Sequence, residues 1–251
     1  MALPIASNTS STVAFVAVFT AMIAVLDVIP TIPGFYAGVW DSWPFLLAPI
    51  VGILLGPYLG SLSVALGSII GHLIYFRDPT EMLFMLGLSL GAAVAGFVYQ
   101  RRWKPVFGIY SVMLLGYFIY PVTWELPLWG IWDILVGYCI VMIFSFMTIR
   151  GRFSDITEMK RILLLLFTTF IALETDILFR VFVLVPGQTY WFFYGWTPVE
   201  LALIWSVAGF ITPIKVVLAA IVSVTLGLQI LRILEQQGDS VGLPNEKELP
   251  N

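Results

Sequence analysis

Residues 44–76 read PFLLAPIVGILLGPYLGSLSVALGSIIGHLIYF. The run is apolar for longer than one bilayer crossing needs, about 20 residues. A glycine-proline break, Gly56-Pro57-Tyr58-Leu59-Gly60, divides it. No charged residue occurs between Asp41 and Arg77. The stretch therefore reads as a hairpin of two tightly packed membrane helices, an all-α signature. Its glycines at four-residue spacing, Gly52/Gly56/Gly60 and Gly67/Gly71, let helix backbones approach closely in lipid.

The rest of the chain agrees. Of 251 residues, 60% are hydrophobic and 11% charged, and the mean hydropathy is +0.98. A soluble domain is usually about a quarter charged. The class is a polytopic helical membrane protein; a transmembrane β-barrel would show short alternating segments. The net charge of −3 argues against a nucleic-acid partner. The single cysteine, Cys139, forms no internal disulfide, and there is no Cys/His cluster for a metal. The first residues carry no basic cluster, so the first apolar run reads as a retained helix.

Apolar spans are expected over about 11–29, 44–56, 57–76, 82–99, 105–122, 129–149, 162–185 and within 199–234. The last run is too long for one straight crossing. Either a surface helix precedes the span, or Pro213 kinks it. The tail 235–251 is polar and reads as disordered, and residues 1–234 read as one membrane-embedded domain. Arg101, Arg102, Lys104, Arg150, Arg152, Lys160, Arg161 and Arg232 fall in alternate connections or at the C-terminal end, against Arg77 alone in the others. The positive-inside rule then gives about eight crossings with both termini cytoplasmic.

Tryptophans are skewed to the other side: Trp40, Trp43, Trp124, Trp129, Trp132, Trp191, Trp196 and Trp205, against Trp103. One reading is a one-sided interfacial belt. The other is that Trp40, Tyr190, Trp191, Phe192, Phe193 and Tyr194 fold over an outward pocket, where aromatic rings suit a flat ligand.

Ionisable groups inside a membrane are costly and are the candidate site. The 162–185 span carries Glu174, Asp176 and Arg180. Asp176 and Arg180 are one turn apart and can pair, while Glu174 lies on another face. Lys215 is expected level with Arg180, where it could pair with Glu174 or Asp176 or bond a ligand. His72 ends its span on the outer side, and a lone histidine there is as readily interfacial. Asp27 and Asp133 lie near outer helix ends and read as solvated. No phosphate loop, HExxH or nucleophile triad is present; none of the four lysines follows a glycine. No enzyme activity and no cofactor are expected, and any ATP would be hydrolysed by another subunit.

These residues resemble a known family. The alanine-striped first span, Ala17-Val-Phe-Thr-Ala21, is followed by an outer loop. Ala48-Pro-Ile-Val-Gly-Ile-Leu-Leu-Gly-Pro-Tyr-Leu-Gly60 then leads into Ser61-Leu-Ser-Val-Ala-Leu-Gly-Ser-Ile-Ile-Gly71 and a glycine-rich span. The pattern resembles the substrate-binding S components of energy-coupling factor (ECF) transporters over about 10–100, and again over about 209–234 through Pro213-Ile-Lys215. The resemblance implies a prokaryotic plasma-membrane protein that binds a small vitamin-like nutrient in an outward pocket. It also implies that Ala17 and Ala21 dock on a transmembrane coupling subunit driven by two ATPases, with Lys215 near the ligand. Two departures stand out. The family core has six helices, so 105–149 reads as an inserted hairpin. The flavin subgroup's asparagine is missing: Thr212 precedes Pro213 and Ile214 follows it. Flavin thus stays one option among heteroaromatic or zwitterionic ligands. Glu174, Asp176, Arg180, Lys215, His72, Trp40 and Trp191 are the expected binding residues, with the 44–76 hairpin as a wall beside them. The competing reading is a stand-alone proton-coupled secondary transporter.

Overall fold

The computed structural model describes residues 9–31, 42–76, 81–151 and 158–236. Their helices are α1 (Thr9–Val28), α2 (Ala48–Ile74), α3 (Glu81–Phe84), α4 (Leu86–Tyr99), α5 (Trp103–Ile119), α6 (Trp132–Ile149), α7 (Glu158–Leu184), α8 (Thr189–Phe192), α9 (Pro198–Val222) and α10 (Leu228–Gln236). No sheet forms among them; Pro30 and Ser42 make one isolated bridge. Six described helical runs are long and apolar enough to cross a membrane, and α5 is a shorter apolar helix of 17 residues. The chain is an all-α, polytopic bundle.

The 44–76 stretch is a hairpin. Gly56 has φ 79° and ψ 176°, values no residue within a helix adopts, and Pro57 follows it. A Cβ on Gly60 would lie 2.8 Å from the Cα of Gly52, eight positions earlier. In a straight helix those residues stand roughly 12 Å apart. The reversal therefore lies at Gly56, and both glycines are needed where the arms touch. A Cβ on Gly96 would lie 2.6 Å from the Cα of Pro57, so the end of α4 packs on this turn.

The arms are unequal. The second, 57–74, is long enough to approach a full crossing. The first runs from the 3-10 turn Pro44–Leu46 to Gly56 and rises only roughly 18 Å, short of a hydrocarbon core of roughly 30 Å. Its first turn is accordingly packed against α1 and α9, with Ser42 and Phe45 both buried. The candidate site is built around that recess.

Helices α1, α2, α4 and α7 pack closely because glycine meets backbone or short side chains. Gly67 faces Ile23 and the Thr20 carbonyl across α1–α2, and Gly91 faces the Ala172 carbonyl across α4–α7. The pairs Gly87/Asp176 and Gly91/Ala172 run in opposite directions, so α4 and α7 are antiparallel.

The 105–149 segment is part of the core. Tyr110, Tyr117 and Phe144 are among the largest fully buried side chains, and Tyr110 bonds the Ile134 carbonyl at 2.8 Å. The final apolar run is one long helical rod. α9 is continuous through Pro213 and runs on through a π-helical turn, Ser223–Gly227, into α10. Its start is fixed by a capping box: the Glu200 N–H donates to the Thr197 hydroxyl, and the Glu200 carboxylate accepts from the Thr197 N–H at 2.8 Å. α10 is described to Gln236, and the expected disordered tail beyond it lies outside the described residues.

Candidate functional site

The first part of the site is set by α1 meeting the second arm of α2. A Cβ on Gly71 would lie 2.6 Å from the Cβ of Asp27, so the glycine lets the last turn of α1 approach. Asp27 then reaches His72: Oδ2 stands 2.8 Å from Nδ1. The Ser42 hydroxyl donates to Asp27 Oδ1 at 3.0 Å. His72 Nδ1 is also 3.0 Å from the Ser68 carbonyl. Both of these neighbours are acceptors, so Nδ1 carries the hydrogen. In a neutral ring Nε2 is then a lone-pair acceptor. Nε2 has no hydrogen-bond partner among the described residues, and neither does the Ser68 hydroxyl.

The second part lies on α7 and α9. Asp176 is fully buried and held between two cations: Arg180 Nε at 2.8 Å and Lys215 Nζ at 3.2 Å. Arg180 is one turn away, as its spacing predicts. Lys215 also lies 5.0 Å from the centre of the Phe45 ring, a cation–π contact. Gly87 of α4 gives Asp176 its room; a Cβ there would stand 2.6 Å from Oδ1.

Between the two parts is a crevice lined by Asp27, Ser42, Phe45, Ser68, His72, Arg180 and Lys215, with Pro44, Met85 and Leu88 completing it. Its cavity volume is about 10 Å³, on the scale of one water. A pocket holding a drug-sized molecule is usually some 300–1,000 Å³. This conformation is closed, and a larger ligand requires the walls to part.

His72, Asp176, Arg180 and Lys215 are thus brought together as expected. Glu174 is not: it faces α5 and α6, away from this crevice. Trp191 is 62% exposed on α8, and none of the aromatics at 190–194 lines the crevice. Trp40 lies outside the described residues. Asp27 and Asp133 correct the expectation that both are solvated. They are 2% and 3% exposed, because helix packing covers the turns that carry them. The hairpin, expected as a wall, supplies Phe45, Ser68 and His72 to the crevice itself.

No protein-family model matches this chain, and neither a curated protein nor a solved structure matches it.

On α1, Ala14, Ala17 and Ala21 are exposed together with Val13, Val18, Met22 and Val25. Ala24, a turn further on, faces inward and is 6% exposed. Thr20, at the edge of this face, bonds Ser63 hydroxyl-to-hydroxyl at 3.1 Å, and Phe19 and Ile23 are buried on the inward side of α1.

Proposed function

We propose that this chain is the membrane-embedded binding and translocation subunit for uptake of a small vitamin-like nutrient, working with an ATP-driven ECF coupling module. The observation that carries the reading is the crevice, where His72 Nε2 and the Ser68 hydroxyl are buried without a partner among the described residues, on the same lining as Arg180, Lys215 and the Phe45 ring. Buried polar atoms are nearly always bonded. Two such orphans on residues that line one recess suit a ligand that carries its own donors and acceptors. The flat Phe45 ring and the mixed charges suit a heteroaromatic or zwitterionic molecule. No catalytic role is assigned to any residue.

In this reading the chain crosses a prokaryotic plasma membrane eight times, with both termini cytoplasmic. The legs are α1, the two arms of the hairpin, α3–α4, α5, α6, α7 and α9–α10. Two contacts support a common basic end: Gly96 against Pro57, and Arg232 with Glu158 at 3.2 Å. The crevice opens at the other end. The exposed face at Ala17 and Ala21 is where the coupling subunit docks.

The test is direct. The protein is purified alone, and bound small molecules are identified by mass spectrometry. Uptake of the identified compound is then measured in vesicles with and without an ATP-driven coupling module. Binding alone with ATP-dependent uptake is expected. Full uptake driven by a proton gradient without the module would sink this reading in favour of a secondary transporter.

A further inference from the structure

Glu174 does not line the crevice, yet its carboxyl is left unsatisfied. It is 0% exposed, and neither carboxyl oxygen has a hydrogen-bond partner among the described residues. Neither Glu174 nor Asp133 pairs with a basic residue among the described residues. Leaving a carboxyl so placed costs several kcal/mol, roughly, unless something neutralises or bonds it.

From α6, Gly137 lies against Glu174: a Cβ there would stand 3.0 Å from its Cβ and Cγ and would strike the Tyr110 hydroxyl. The bare backbone at 137 therefore makes room where the Glu174 stem and the Tyr110 hydroxyl meet. Tyr110 comes from α5 and is fully buried. Asp133, at the start of α6, is one helical turn before Gly137 and so on the same side of α6 as the backbone that meets Glu174 and Tyr110. Its carboxylate accepts from the Ile134 N–H at 2.9 Å and from the Thr212 hydroxyl of α9. On Glu174's own helix the nearby acidic charge is Asp176, which is held by Arg180 and by Lys215 of α9. α4 meets α7 here through Gly87 and Gly91.

We propose that Glu174 and Asp133, with the hydroxyls of Tyr110 and Thr212, form a second binding site that holds one monovalent cation deep in the bundle. Two carboxyls share one low-dielectric neighbourhood without a basic partner, so their charge calls for a positive one. Asp133 already has two donors, which leaves Glu174 as the group that takes the cation. A donor set of carboxylate and hydroxyl oxygens suits a proton or a hard ion such as sodium, not a soft metal. The site stands apart from the crevice and does not rest on the transport reading.

The full chain in lipid nanodiscs tests this by infrared difference spectroscopy across pH and by thermal unfolding in sodium chloride against choline chloride. A proton gives a carboxylic-acid band that titrates with pH and is lost in Glu174→Gln, with no sodium effect. Sodium gives a rise in Tm over choline that is lost in Glu174→Gln. Either result supports the site and names its occupant. Neither response in the wild type, or an unchanged response in Glu174→Gln, overturns it. Should Glu174→Gln not fold, Thr212→Val decides: loss of the hydroxyl on Asp133 shifts the proton or sodium midpoint by about tenfold, and an unmoved midpoint overturns the proposal. Nutrient binding, measured in parallel, reports on the crevice separately.

Discussion

Asp176 is reached by Arg180 from its own helix and by Lys215 from α9, so one buried carboxylate ties two helices together. Lys215 lies between that carboxylate and the Phe45 ring, and it lines the crevice. Lys215→Ala removes a charged hydrogen-bond donor worth about 1.5–3 kcal/mol. Ligand affinity is expected to fall about 10- to 100-fold in a binding titration. Unchanged affinity would remove Lys215 from the site. Gly87 gives a second test at this scale. An alanine Cβ would press on Asp176 at Oδ1, 2.6 Å away, and on its backbone oxygen at 2.9 Å. The flexible oxygen can turn aside, but the backbone cannot. Gly87→Ala should therefore lower stability by about 1–3 kcal/mol and weaken binding, measured by Tm and by titration. Full stability with full affinity would show that α4 and α7 part without disturbing Asp176.

Helix α1 works as two faces. Its inner face is clasped to α2 through Thr20 and Ser63, through Ile23 against Gly67, and through Asp27 against Gly71 and His72. Its outer face presents Ala17 and Ala21 between larger exposed side chains. Ala17→Trp adds bulk to the outer face alone, so ligand binding should persist while coupled uptake is abolished. Uptake in vesicles containing the coupling module, beside a binding titration on the purified chain, separates the two. Equal loss of both would show that the outer face is not a docking surface. The hairpin arms show why element lengths matter as much as element identity. Gly56-Pro57 locates the reversal, but only the short reach of the first arm buries Ser42 and Phe45 and so creates the crevice.

At the scale of the whole chain, the all-α membrane class and the 44–76 hairpin were legible because apolar length and a Gly-Pro break are local signals. The Asp176–Arg180 pair was legible from its one-turn spacing. Asp27 was not, because its burial depends on Gly71, 44 positions later, and no local pattern links them. Nor was Asp133, whose cover comes from Thr212 on α9, 79 positions away. Gly67 and Gly71 did carry a signal: small residues on one helix face imply a close neighbour, and Asp27 is the polar group that neighbour brings. The segment 105–149, read as an inserted hairpin by its resemblance pattern, contributes Tyr110, Tyr117 and Phe144 to the core. Its ends give a test of crossing count. Cys139 is the one cysteine of the chain, so Cys139→Ala supplies a clean background. Lys104→Cys and Glu125→Cys place single thiols at opposite ends of α5. With intact cells, a membrane-impermeant maleimide should label the cysteine at 125 and spare the one at 104 until the cells are opened. Labelling of both from outside, or of neither, would mean that α5 does not cross. The eight-crossing topology would then fail, and with it the cytoplasmic placement of at least one terminus.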